Sequence, residues 1–324
     1  MKSDLSLCAL AVDFGGTSIK MGVTQGDQIL ATAKPIPTQS FNSPQEIIAA
    51  MIETAKELQE KYPNICVMGM GMPGWCNYYE GVLYQLTNVP VWDHVVPVKE
   101  MMEKALGIPV VLDNDANCMA YAEWKFGAGK GLSNVVCMTM GTGLGGGIVL
   151  RDRVLRGKRI SAAEIGMTSI YYAGKPGPFG NKGGIEEYIG NNEMAHEYYE
   201  RCLQAGKTIS KEECTPKHIE DQAKAGCEIA LSVWKDTAEK LACLIMNLMY
   251  TFVPESFIIG GGVAKAGDLL MQPLLASLKQ QLFHLHWEDL NIQFARFGSE
   301  AGLIGAGAMA LDEYLGLGEL NWNF

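Results

Sequence analysis

The sequence has no CxxC pair, no basic run and no apolar stretch of about 18 residues, and each absence removes a class of protein. Its nine cysteines (Cys8, Cys66, Cys76, Cys118, Cys137, Cys202, Cys214, Cys227 and Cys243) are scattered, mostly through apolar segments. That spacing excludes a zinc ribbon or a dithiol redox motif and reads as reduced core thiols. Without a long apolar run there is no candidate membrane helix. The N-terminal "MKSDLSLCALAVDFGG" runs from a short apolar stretch into an acidic strand end with no small-residue cleavage site, so a cytoplasmic protein is expected. A net charge of −10 with no basic patch argues against a nucleic-acid backbone as main partner. A small anion can still be held by backbone amides. Two nucleotide motifs are missing as well. There is no GxxxxGK[ST], so no P-loop, and no GxGxxG opens a helix after the first strand with an acid about 20 residues on, so no Rossmann site. What is present, 48% hydrophobic and 19% charged residues over 324 positions, describes a soluble globular chain long enough for two domains or lobes.

Along the chain, "LCALAVD" (7–13), "FGGTSIK" and "MGVTQ" read as a strand, a tight glycine turn and a returning strand. In "SPQEIIAAMIETAKELQEKY", Ser43 stands at a cap position, Pro44 at the first helical position and Glu46 three after the cap, which predicts a helix. A strand follows (65–74), then a polar loop through "TNVPVW", a short helix from about Pro97 to Leu106 stopped by Gly107, and a strand, "PVVLDND" (109–115). After the helix "ANCMAYAEWKFG", residues 134–150 repeat the opening plan of strand, glycine turn and strand, which suggests two related lobes facing each other. A long helical region is expected from about Asp221 to Phe252, a buried strand in "SFIIG", a helix from about Asp268 and a small-residue helix over 301–316. The fold class is therefore α/β.

Four glycine turns follow apolar strands: Gly15–Gly16, Gly71 to Gly74, Gly141 to Gly147 and Gly260 to Gly262. Each alone is common in α/β proteins. Together they place backbone N–H groups where an anion can approach, and Thr17 and Thr142 add hydroxyl donors. Asp13, at the strand end before the first turn, is placed to orient a hydrated Mg²⁺ at such a phosphate. Lys20 on the returning strand is either a phosphate contact or simply solvated. In "LDNDAN" an apolar strand delivers Asp113, Asn114 and Asp115 to the C-terminal edge of a sheet, where open α/β sheets bind ligands. One of the three caps the following helix; three exceed what a cap needs. A carboxylate beside a bound hydroxyl can take its proton as the oxygen attacks phosphorus.

These stretches, "AVDFGGTSIKMGV", "GMGMPGW", "TNVPVW", "PVVLDNDANCMAYAEW", "TMGTGLGGGIV", "AEIG" and "IIGGGVA", resemble the actin-like ATPase and sugar-kinase superfamily. More narrowly, the sequence resembles the ROK family of repressors, open reading frames and kinases. The resemblance implies a two-lobed actin-like ATPase (ribonuclease H-like) fold with a central cleft. Residues 1–116 with about 301–324 would form the smaller lobe, and 117–300 the larger. It also implies an ATP-dependent, glucokinase-like hexose kinase acting at the 6-hydroxyl. Asp115 becomes the general base; Gly74, Asn88, Asn114, Glu164, Met167 and Glu186 line the sugar pocket. Asp13, Gly15, Gly16, Thr17 and Lys20 form the first phosphate turn, Gly141, Thr142 and Gly143 the second, and Gly260, Gly261 and Gly262 lie under the adenosine. ATP and Mg²⁺ are the expected cofactors, with Mg²⁺ held through water by Asp13, and a homodimer is the expected assembly.

The segment "EIGMTSIYYAGKPGPFGNKGGIEEY" (164–188) departs from the family pattern. Zinc-bearing members carry a His and three Cys here, at the positions of Met167, Gly177, Phe179 and Gly184. With no His or Cys in the loop, no structural zinc is expected. The loop is expected to fold by packing Phe179, Pro178 and Tyr171 or Tyr172. Met167 would leave a less polar wall to the sugar pocket, with Glu164 and Glu186 still able to accept from hydroxyls, and Glu187 exchanging roles with Glu186 if the alignment shifts by one. Other acceptors stay open: fructose, mannose, allose, N-acetylglucosamine or N-acetylmannosamine. A sugar-binding regulator without catalysis is the other reading, and a DNA-binding one is disfavoured because the phosphate turn comes as early as Asp13. His284 and His286 in "FHLHWE" would share a face if that segment is a strand, and are read as a structural pair.

Overall fold

The computed structural model describes residues 7–86, 89–157 and 163–318. In chain order the elements are β1 (Cys8–Phe14), β2 (Ser18–Gln25), β3 (Gln28–Thr32), β4 (Ile36–Pro37), α1 (Pro44–Lys61), β5 (Ile65–Met72), β6 (Cys76–Asn77), β7 (Val82–Leu83), α2 (Val98–Leu106), β8 (Val110–Asn114) and α3 (Asp115–Lys125). Then come β9 (Asn134–Met140), β10 (Leu144–Leu150), β11 (Arg153–Val154), α4 (Asn191–Gln204), α5 (Pro216–Lys224), α6 (Glu228–Phe252), β12 (Ser256–Gly260), α7 (Asp268–Gln281), α8 (His284–Asp289), β13 (Ile292–Phe294) and α9 (Ala301–Tyr314). Among the described residues no helix is long and apolar enough to cross a membrane.

The chain divides into two compact units. One holds residues up to Ser133 with 147–163 and 299 onward; the other holds 134–146 and 164–298. The stretch 117–133, placed by the sequence reading with the larger lobe, falls in the first unit, because α3 packs along α9. Glycine makes that approach close: a Cβ at Gly305 would collide with the Cys118 carbonyl, and one at Gly69 of β5 with the Ala306 carbonyl.

The first unit carries a sheet in the order β3-β2-β1-β5-β8, with β4 against β2. β1 and β2 are antiparallel, with Asp13 opposite Lys20, while β5 runs parallel to both β1 and β8. Up to their polar C-terminal ends these parallel strands are apolar because both faces are covered: Leu10, Val12, Met68, Met70 and Leu112 are buried on one face, and Ala9, Ala11 and Val67 on the other. Helix α1 starts as the sequence predicts. Ser43 accepts from the Glu46 N–H at 3.3 Å, and Glu46 returns to the Asn42 N–H at 2.8 Å, one residue earlier than a capping box would. Gly107, with φ 69°, ends α2.

In the second sheet the order is β11-β10-β9-β12-β13, and the division between the units falls within β10, after Gly146. β12 is parallel to β9 and to β13. The helical stretch expected as one from Asp221 is two helices, broken at Gly226, whose φ of 84° no helix accepts. His284 and His286 lie on helix α8, not on a strand, so their spacing of two no longer places them on one face. The cysteines are free, and six of the nine are buried, as core thiols are.

Candidate active site

In the first unit, β1 delivers Asp13 to the sheet edge and the chain turns back through Gly15, Gly16 and Thr17. The Gly15 N–H donates to the Ser18 carbonyl at 3.0 Å. Thr38 fixes the outside of the turn: its hydroxyl donates to the Gly16 carbonyl at 2.6 Å and its N–H to the Thr17 carbonyl at 3.1 Å. Thr17 is exposed. Lys20 is not simply solvated; its ammonium donates to the Asp13 carboxylate at 3.1 Å and to the Ser299 carbonyl at 3.3 Å. The start of α9 closes in from the other side, where a Cβ at Gly302 would sit 2.8 Å from Asp13 Cγ.

The same unit holds the Asp-Asn-Asp run. Asn114 is the cap of α3, accepting from the N–H groups of Ala116 at 2.9 Å and Asn117 at 3.3 Å. Its amide donates to the Gly74 carbonyl at 3.1 Å, and Gly74 has φ 66° with Leu86 Cδ2 3.2 Å from where a Cβ would be. So the capping role falls to Asn114, with one amide hydrogen beyond that bond. Asp115 is the first residue of α3, half-buried, and its Oδ1 accepts from the Ala116 N–H at 2.9 Å. A helix N-terminus favours a carboxylate there. The nearby thiols do not compete for a proton-accepting role, since burial pushes Cys76 and Cys118 well above the ordinary thiol range. Asn88 lies outside the described residues.

Asp113 turns inward. Both it and Arg156 are buried; Arg156 Nε donates to Asp113 Oδ2 at 2.7 Å, and Asp113 Oδ1 accepts from the Asn114 N–H at 2.7 Å and from Asn117 Nδ2 at 2.9 Å. The guanidinium carbon stands 3.9 Å from the centre of the Tyr78 ring. Tyr78 donates to Glu313, Tyr121 and Lys125 to Asp312, at the end of α9. Both phenols are pushed up, mainly by burial and further by those carboxylates, with Arg156 pulling the other way. Sequence reading missed Arg156, Tyr78, Asp312 and Glu313. The available signal was a helix of small apolar residues ending in two acids, which must face something inside.

In the second unit, Gly141, Thr142 and Gly143 link β9 to β10, with the Gly141 N–H on the Gly143 carbonyl at 3.0 Å. Gly260 pairs with Thr139, and Gly261, φ 85°, lies against Met140, where any Cβ would collide with the backbone. The second glycine turn and the 260–262 turn are thus side by side. Glu186 reaches this turn: its Oε2 accepts from the Leu144 N–H at 2.9 Å, and a Cβ at Gly143 would collide with it. At the far end of the same loop the Asn191 N–H donates to the Gly141 carbonyl at 2.9 Å. Glu187 instead offers its carbonyl to Lys175 Nζ at 2.8 Å. Glu164 opens a short 3-10 turn that contains the half-buried Met167.

The loop 164–188 is not held by the aromatic packing expected of it. Phe179, Tyr171 and Tyr172 are 56%, 54% and 87% exposed, and Pro178 is exposed too. Backbone pairing replaces it: the Ile170 N–H donates to the Gly183 carbonyl at 2.9 Å, Gly183 to Lys175 at 2.8 Å and Ile185 to Thr168 at 3.0 Å. Two polar side chains complete the fold. The Tyr188 hydroxyl accepts from the Lys175 N–H at 2.7 Å, and Asn181 Nδ2 donates to the Met167 carbonyl at 3.4 Å. The Asn181 carboxamide fills the space beside Gly177 and Gly184, where a side chain at Gly177 would overlap it. Three of the four ligand positions of the zinc-bearing pattern, 167, 177 and 184, therefore surround an amide.

The ROK family model matches residues 9–313. The chain belongs to the ROK family. It is 33% identical over 311 residues to a glucokinase of Streptomyces coelicolor, covering 93% of this chain and 96% of that one. A ROK family glucokinase from Streptomyces griseus, solved in complex with glucose and AMPPNP, is similar in structure, with a TM-score of 0.80 and 29% identity, covering 94% of this chain and 99% of the other. The ROK hexokinase of Thermus thermophilus gives 0.81 and 28%, covering 96% and 100%. As a ROK protein the chain has the actin-like ATPase (ribonuclease H-like) fold, and in each unit a glycine turn follows a strand, β1 in the first and β9 in the second.

Proposed function

We propose that this ATP-dependent sugar kinase transfers the γ-phosphoryl group of ATP to the 6-hydroxyl of a hexose, with glucose as the first acceptor. The observation that carries the reading is Asp115, a half-buried carboxylate at the first position of α3, next to the capping Asn114. Glucokinase relatives and the bound glucose and AMPPNP of the Streptomyces griseus enzyme support it.

In this reading Asn114 and Gly74 hold the sugar, together with Asn88, Glu164, Met167 and Glu186. Asp115 accepts the 6-hydroxyl proton as the oxygen bonds to the γ-phosphorus and the bond to the ADP oxygen breaks; the proton then passes to solvent. The turns at Gly15–Thr17 and Gly141–Gly143 hold phosphates, with Gly260 to Gly262 under the adenosine. Because a phosphoryl transition state is loose, positioning and charge do most of the work. Asp13, whose side chain is 20% exposed, fits a magnesium ion, which is held mainly by substrate phosphates and water with one or two carboxylates. That ion would offset charge on the transferring group. Lys20, ion-paired to Asp13, would orient the same carboxylate. The cytoplasmic location is proposed from the sequence, and the homodimer from the resemblance.

A coupled ADP-release assay over glucose, fructose, mannose, allose, N-acetylglucosamine and N-acetylmannosamine should give the highest kcat/KM with glucose. A larger value for another sugar would reassign the acceptor, and no ADP release with any of them would return the protein to the non-catalytic reading. Metal analysis of the purified protein should find far less than one zinc per chain, because the loop's own amide and backbone bonds hold it. One tightly held zinc per chain would overturn this.

A further inference from the structure

Arg156 has no part in the chemistry described above, yet it is among the most buried charges of the first unit, with a side-chain exposure of 3%. Taking a guanidinium out of water costs several kcal/mol unless every partner is well placed. Here the partners converge on one point. Nε donates to Asp113 Oδ2 at 2.7 Å, an Nη2 contact of 3.5 Å reaches Met309 Sδ on α9, and the plane lies over Tyr78 at 3.9 Å. Tyr78 is in turn tied to Glu313. Asp113 spends its other oxygen on the Asn114 N–H and on Asn117 Nδ2, one at the cap and one in the first turn of α3.

We propose that Arg156 is a positioning residue of the phosphotransfer: through Asp113 it sets where the Asn114 cap and the Asp115 carboxylate stand. The proposal rests on the reading of Asp115 as the base. The chain of contacts is short. Arg156 stands two residues past β11, Asp113 receives it near the end of β8, and the next two residues in the chain are the ones assigned to the sugar and its proton. An arginine suits this place because its fork and flat face fix direction as well as charge, which a lysine ammonium does not. A shift of about 1 Å at a reacting group can cost about a hundredfold in rate.

The test uses the full chain with Arg156→Lys, which keeps the charge and loses the fork, and the isosteric Asp113→Asn, which keeps an acceptor for the Asn114 N–H. Measured are kcat, KM for glucose, KM for ATP and the thermal midpoint, beside Asp115→Asn. Expected are a drop in kcat/KM for glucose of about 10- to 100-fold in both variants, carried by kcat and by the glucose KM, with the ATP KM within about twofold. Partial unfolding would lower the apparent kcat alone and leave both KM values where they were; that pattern overturns the proposal. So does wild-type kcat and glucose KM in either folded variant while Asp115→Asn is inactive. If one variant does not fold, the other decides. Full turnover in Asp115→Asn would instead remove the base assignment on which the proposal stands.

Discussion

Asp115→Asn should bind glucose with little change in affinity and lose about a thousandfold in kcat, within the range that general-base catalysis contributes. The substitution is close to isosteric, and the asparagine Oδ1 can still accept from the Ala116 N–H that Asp115 holds at 2.9 Å. The cap made by Asn114 is untouched, so α3 keeps its start. What disappears is the capacity to take a proton from the attacking hydroxyl. Calorimetric titration with glucose and the ADP-release assay separate the two quantities. A kcat within a few-fold of wild type would mean that another group, or solvent, takes the proton.

Gly305→Ala should be among the most destabilising small substitutions in the chain. The new methyl would collide with the Cys118 carbonyl on α3, which is backbone and cannot rotate away. On the facing side Gly69 of β5 meets the Ala306 carbonyl in the same way, so α9 has no room to retreat. Overpacking of this kind costs about 3 kcal/mol. The urea midpoint of the purified variant should fall accordingly, and a midpoint equal to wild type would show that α3 and α9 can part at no cost. Since Asp115 begins α3, activity should fall with stability.

Much of the architecture was legible because it depends on neighbours in sequence. The Ser43 cap, Pro44 and Glu46 announce α1, Gly107 announces the end of α2, and the apolar runs before glycine turns announce β1, β5, β9 and β12. The candidate site was legible for the same reason: Asp13, the glycine turns and the Asp-Asn-Asp run each sit within a few residues of a strand end. What escaped depends on partners far along the chain. Nothing near Arg156 says that it meets Asp113, 43 positions away. The tyrosines and Phe179 of the 164–188 loop looked like a small core, but a glycine-rich stretch can close through its own backbone, and it does so around Asn181. Gly226 was visible, yet the helical pattern on both sides concealed the break that its left-handed backbone makes between α5 and α6.

The reach of Glu186 to the Leu144 N–H has a consequence for how this enzyme can change. A residue assigned to the sugar also buttresses the turn assigned to ATP, and Gly143 has no side chain because that carboxylate stands in its place. Under the proposed function, acceptor preference and nucleotide affinity therefore become one inherited trait at this position. A lineage drifting toward a new sugar by replacing Glu186 would have to repair its phosphate turn in the same step, and variants selected for acceptor range should carry compensating changes near Gly143.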